Sequence, residues 1–161
     1  MYSTILAFFT LLVLPSIGRA GPPVTLINNS QLDPQGIYFV SYGGLVNVDS
    51  FQLSGVLTYS GWQYAGWYTP SKYAIVARRG LPSGGWKTLQ LPHQLSVSDS
   101  HNVIALGVSP EDGRIHVAMD CHSTQLYYVS SEAGLATNGA SWTADRFGSV
   151  TNSLGNLAIG R

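Results

Sequence analysis

The chain has 161 residues with 8 basic and 8 acidic side chains, a charged fraction of 10%, an apolar fraction of 45%, 18 glycines and 8 prolines. So few charges exclude intrinsic disorder, a coiled coil and a binder held to nucleic acid by a basic field. Gly and aromatic residues without Lys, Glu or Ala runs favour strands joined by tight turns.

Residues Ile5 to Leu14 form an apolar stretch interrupted only by Thr10, followed by Pro15, Gly18 and Ala20. The stretch is too short for a spanning helix of ~20 residues, and Gly18 and Ala20 are the small residues a signal peptidase needs. We read residues 1–20 as a signal peptide cleaved after Ala20, although its n-region has no Lys or Arg. The competing readings are an uncleaved anchor and a buried strand. The expected mature chain, residues 21–161, is secreted and nearly neutral, with no affinity for nucleic acid or membrane. Cys121 is the single cysteine, so no intrachain disulfide forms, and Asn28-Asn29-Ser30 is a glycosylation sequon.

A short apolar patch at Val24 to Ile27 reads as a lead-in strand and linker. Strand-length runs follow at Gly36 to Tyr42, Gly55 to Tyr59, Gln63 to Tyr68, Tyr73 to Arg78 and Trp86 to Leu91, bounded by Gly-, Ser- and Pro-bearing turns. A second group comprises Asn102 to Val108, Arg114 to Asp120, Gln125 to Ser130 and a strand near Trp142 to Phe147. Each group runs strand, Pro-containing turn, strand, and ends near a tryptophan, Trp86 or Trp142. Weak repetition of this kind predicts an all-β, propeller-like chain of about two four-stranded blades plus a lead-in strand, a partial propeller. A single β-sandwich meander is the alternative. Two blades leave two faces open, so such a pair is expected to be marginal or to associate.

Three of the four histidines, His101, His116 and His122, fall within 22 residues. His101, in Asp99-Ser100-His101-Asn102, enters a strand beside Asp and Asn side chains able to fix its tautomer, which suits a general base or acid; a plain turn histidine is the competing reading. His116 lies mid-strand and reads as a packed, hydrogen-bonded residue. Asp120 and His122 share one face at period two, so the carboxylate is expected to orient the imidazole. His93, after Pro92, reads as a loop residue without a partner. Asp120, His122 and His101 are conceivable zinc ligands, with Cys121 on the opposite face. No C-x-x-C or H-E-x-x-H spacing is present, so neither a metal nor any other cofactor is expected. No G-x-S-x-G or P-loop occurs, and Ser109 to Gly113, loosely like an Asp-box, reads as a β-turn.

The segments Ala77 to Trp86, Asp99-Ser100-His101-Asn102-Val103-Ile104, Asp112 to His116, Asp120-Cys121-His122 and Leu126-Tyr127-Tyr128 resemble the BNR repeat-containing, neuraminidase-like family that includes ulvan lyases. The resemblance runs from about Val46 to Phe147. It implies a seven-bladed propeller that cleaves acidic polysaccharide by β-elimination, with His101 as base or acid and His122 as a substrate-binding or charge-stabilising partner. Asn102, Asp120 and Trp67 are the expected substrate-binding residues. The family's catalytic Tyr and carboxylate-neutralising Arg have no counterpart at matching positions. The expectation is therefore a lyase-like chain that is a fragment, a shortened product or one that has lost the chemistry. The alternative is a non-catalytic carbohydrate-binding module using Trp62, Trp67, Tyr68 and Trp86 as stacking platforms, although core packing competes for the same aromatics. A sialidase-type hydrolase would need an Arg cluster and an acidic pair that the sequence lacks.

Overall fold

A computed structural model describes residues 21, 23–26, 29–34, 37, 55–99, 101–122 and 124–153. The described residues up to Ser30 and those from Gln31 onward belong to separate units. The expected signal peptide lies outside the described residues, as does the strand predicted at Gly36 to Tyr42 apart from Ile37, which is buried. Val24, Thr25 and Leu26 form no strand. Their side chains are exposed and they pair with no strand among the described residues, while Ile27 lies outside them.

The first group of runs makes a four-stranded antiparallel meander, β1 (Val56–Tyr59), β2 (Trp62–Tyr68), β3 (Tyr73–Gly80) and β4 (Lys87–Gln94), in sheet order 1-2-3-4. Ser60 and Gly61, both at positive φ (48° and 80°), close the β1–β2 hairpin beneath the Tyr59–Trp62 pair. Two left-handed residues give a turn whose twist matches the flanking strands. β4 runs through Pro92, which is tolerated because β4 is an edge strand and the register shifts opposite Tyr73 to Ile75. Leu89, Leu91, His93 and Leu95 alternate inward at period two. His93 is therefore a buried strand residue, which corrects the loop reading.

The second group makes a three-stranded antiparallel sheet of β5 (Ala105–Val108), β6 (Ile115–Asp120) and β7 (Leu126–Ser130). The fourth strand expected near Trp142 to Phe147 is replaced by a 3-10 turn over Ala144–Arg146 and two isolated bridges, Ser131–Phe147 and Tyr128–Thr151. Spacing explains the difference. Trp142 and Phe147 are five positions apart and would lie on opposite faces of a strand, yet both are buried and meet edge to face at 5.7 Å. The tighter turn between them brings both into one core.

The two sheets share that core, in which Tyr64, Tyr68, Val76, Leu89 and Leu91 meet Ile104, Leu106, Ile115, Val117, Met119 and Val129. A Cβ at Gly66 would stand 2.8 Å from Ile104 Cγ2, so glycine is needed where the sheets approach. Arg78 is also inside, 2% exposed. Its guanidinium lies between the Trp62 and Trp142 rings, 4.4 and 4.7 Å from their centroids, and donates to the carbonyls of Leu135, Asn138 and Ala140. The chain is all-β, with two open antiparallel sheets and no α-helix among the described residues. No described helix is long and apolar enough to cross a membrane.

Candidate functional site

Beyond β4 the chain makes a tight polar turn. Asp99 accepts the backbone N–H of His101 at Oδ1 (2.9 Å), an Asx-type turn, and its carbonyl accepts the N–H of Asn102 (3.0 Å). The same Oδ1 lies 2.6 Å from His101 Nδ1, while Oδ2 lies 3.0 Å from His122 Nδ1. One carboxylate thus faces both imidazoles, whose ring centroids are 4.3 Å apart. The backbone N–H of His101 and then its side chain pull the Asp99 carboxyl down to about 2, against an opposing effect of burial, with His122 adding a smaller pull. Asp99 therefore stays an acceptor at neutral pH. It favours the tautomer that places each Nδ1–H toward itself, so that in the neutral ring Nε2 is the acceptor.

β6 delivers His122. Asp120 and Cys121 both have positive φ (63° and 91°), so the extended alternation ends at Asp120. Asp120 and His122 consequently do not share a face, which corrects the period-two expectation. His122 turns outward to Asp99, whereas Asp120 turns inward. Its Oδ2 accepts from Ser96 Oγ (2.7 Å) and Ser96 N (3.2 Å), and Tyr68 Oη bonds Asp120 Oδ1 (3.2 Å). His93 Nε2 stands 3.4 Å from Oδ2, an ion-pair separation that leaves this nitrogen buried without a hydrogen bond. Burial opposes ionisation of Asp120, but the contacts with His93 and Ser96 prevail and hold its carboxyl below the usual range.

Asn102 is fully buried. Its Oδ1 accepts the backbone N–H of His122 (2.7 Å) and the Thr124 hydroxyl (3.3 Å), and its Nδ2 donates to the Val97 carbonyl (3.3 Å). Asn102 therefore ties the two histidine-bearing segments together from beneath. Trp67 lies elsewhere, buried in a second cluster with Ala65, Ile75 and Ala77, with Nε1 donating to Asp33 Oδ2 (3.0 Å). Of the proposed stacking platforms, Trp67 and Tyr68 are core residues, and the guanidiniums of Arg78 and Arg79 cover the Trp62 and Trp86 rings. His116 meets the Tyr128 hydroxyl at 2.6 Å, the hydrogen-bonded strand role expected of it.

The histidine pair opens onto a cleft of about 360 Å³ with walls from Val103, Ala105, Ala118, Met119 and Leu126, and with Asp120, Cys121, His101 and His122 at its polar end. No described lining residue is Lys or Arg. A second cleft, at Pro92, Phe147 and Ser149, has no titratable side chain among its described lining residues. The sequence placed His101 and His122 here but missed Asp99 as the bridge. The Asp-x-His spacing, which permits an Asx turn, was the available signal.

The two open antiparallel meander sheets, packed on a shared core, are the arrangement of adjacent propeller blades. Residues 62–160 match the sequence profile described as a BNR repeat-containing family member, and the chain belongs to that family. It is similar to the long isoform of ulvan lyase from Alteromonas sp., at 33% identity over 42% of this chain and 8% of that protein. It is also 33% identical to the short isoform from Alteromonas sp. (strain LOR), over 49% of this chain and 16% of that protein. The crystal structure of polysaccharide lyase Uly1 superposes with a TM-score of 0.58 at 20% identity, covering 75% of this chain and 29% of that one, and so shares its fold. The chain thus spans under a fifth of the length of these two ulvan lyases.

Proposed function

We propose that this chain carries part of the active site of a secreted polysaccharide lyase acting on uronic-acid polymers by β-elimination. One observation carries the reading: the Asp99 carboxylate accepts from Nδ1 of both His101 and His122 at the mouth of a cleft. With Nδ1–H fixed, His101 Nε2 is the acceptor for the proton on C5, the carbon α to the uronate carboxylate. The electron pair released forms the C4–C5 double bond as the C4–O bond breaks, and the leaving oxygen takes a proton from an acid. His122, when protonated, supplies positive charge toward the substrate carboxylate, a role Arg78 cannot take because its guanidinium is committed to three core carbonyls. The apolar walls suit the faces of sugar rings. The family membership and the ulvan lyase relatives support the substrate class, and the apolar segment at residues 5–14 supports secretion.

The test is the ultraviolet absorbance of unsaturated uronates when a full-length form carrying this segment, which holds only part of the active site, meets a uronic-acid polymer. A steady rise is expected, with His101→Ala slowing it by ~10²–10⁴-fold and His122→Ala by less. No rise, or full activity in the His101 variant, overturns the reading. Binding without elimination favours a non-catalytic carbohydrate-binding module instead.

A further inference from the structure

We propose that Asp99, His101 and His122 form a binding site for one divalent transition-metal ion of the zinc class. The inference needs no assumption about lyase activity. It rests on three side chains from two separate segments whose single donor atoms all lie within 4.8 Å of one another. Both imidazoles present Nδ1 to the same carboxylate, at 2.6 and 3.0 Å. A cation placed among the three replaces two hydrogen-bonded protons with two coordinate bonds. Ligand atoms around tetrahedral zinc, bonded at ~2.0–2.1 Å, stand ~3.3 Å apart. The two contacts to Asp99 therefore need to open by well under an ångström, and the widest donor separation, within 4.8 Å, needs to close by at most about 1.5 Å.

The backbone is fixed before any ion arrives. The His101 N–H is held by Asp99 Oδ1, and the His122 N–H is held by the buried Asn102. The side chains remain accessible, 26% exposed for Asp99, 24% for His101 and 46% for His122, so the ion can reach them from solvent and keep water in its fourth position. Two imidazoles among three donors favour zinc, copper, nickel or iron, and disfavour calcium and magnesium, which prefer all-oxygen shells. The other histidines do not compete. His93 is buried against a single carboxylate, and His116 pairs with a phenol. The zinc triad weighed from the sequence, which included Asp120, is thereby replaced by one built on Asp99.

Occupancy has a chemical consequence. An imidazole that binds metal through Nδ1 carries its proton on Nε2, so both rings would change from acceptors to donors at the cleft. Zinc would thus act as a tautomer switch on this pair.

The test is calorimetric titration of the purified chain with zinc chloride near neutral pH, together with nitrogen-15 imidazole spectra. One ion per chain is expected, with Nδ1 metal-bound and Nε2 protonated in both rings, and with no saturation by calcium or magnesium. Asp99→Asn and His122→Gln should each weaken zinc binding at least tenfold, while His116→Gln leaves it unchanged. The half-exposed His122 makes its variant safe for the fold, which a thermal melt confirms. Absence of saturable zinc binding, binding unaltered by His122→Gln, or ligation through Nε2 overturns the proposal. Because the titration contains no polysaccharide, its failure and the failure of the elimination assay are separate results.

Discussion

The molecule holds two histidine–carboxylate clusters a few residues apart in sequence, and they differ in nearly everything except composition. Around Asp120, a histidine, a tyrosine and a serine are packed beneath the strand ends, and His93 and the carboxylate are almost wholly enclosed. Around Asp99, two histidines share an accessible carboxylate at the mouth of a cleft. Pairing an imidazole with a carboxylate therefore does not mark a reactive site. What separates the two clusters is access to the imidazole nitrogen that faces away from the carboxylate, and two left-handed residues, Asp120 and Cys121, divide the two environments along one strand.

The strongest way to break that contrast is to remove each carboxylate in turn. Asp120→Ala strands the partners of a buried acceptor and places Ala at positive φ. It should destabilise the protein by about 3 kcal/mol in urea unfolding. Asp99→Asn, at an accessible cluster, should leave the unfolding midpoint nearly unmoved. Equal losses would show that the two clusters share one structural role.

The buried cluster should lose stability at both ends of the pH scale, through Tyr68 in alkali and Asp120 in acid, and the accessible cluster in acid alone. Burial, reinforced by the Asp120 charge, raises the Tyr68 hydroxyl far above its ordinary value, and burial lifts Tyr64 to about 12. A raised folded value stabilises fully below the unfolded value near 10 and is lost as pH rises beyond it. Tyr68→Phe should therefore cost about 1–2 kcal/mol at neutral pH and flatten the loss of stability above pH 10. Asp99 has the opposite sign. Its lowered value stabilises above 3.8 and is lost as pH falls toward about 2. That contribution is small because the group is accessible. An acid limb that flattens more in Asp99→Asn than in Asp120→Ala would contradict this ordering.

Histidine acylation followed by peptide mass mapping gives the mildest test. His122, 46% exposed, should react first, His101 at 24% next and His93 at 6% last. Early loss of His93 would mean that the buried cluster opens readily.

Much of this was legible in the residues. Seven strands lie where apolar runs bounded by turn residues predicted them. What failed was any inference that carried a regular period across an irregular point. Pro92 suggested a loop, but at an edge strand a missing N–H removes nothing from the ladder, so His93 keeps its inward place. Period two placed Asp120 beside His122 until consecutive positive φ values turned the chain over. The last strand failed for the converse reason, because two core aromatics five residues apart required a turn. No local pattern announced Arg78 as a core residue, since its partners are carbonyls and rings more than fifty positions away or across a hairpin.

That arginine also bears on how the protein comes apart. Its guanidinium begins on β3 of one sheet and ends on carbonyls of the segment that closes the other. Neither sheet can peel away without leaving a buried cation unpartnered, a penalty far above that of fraying a strand. The two sheets are therefore riveted into one cooperative unit, and amide hydrogens in both exchange through the same global opening.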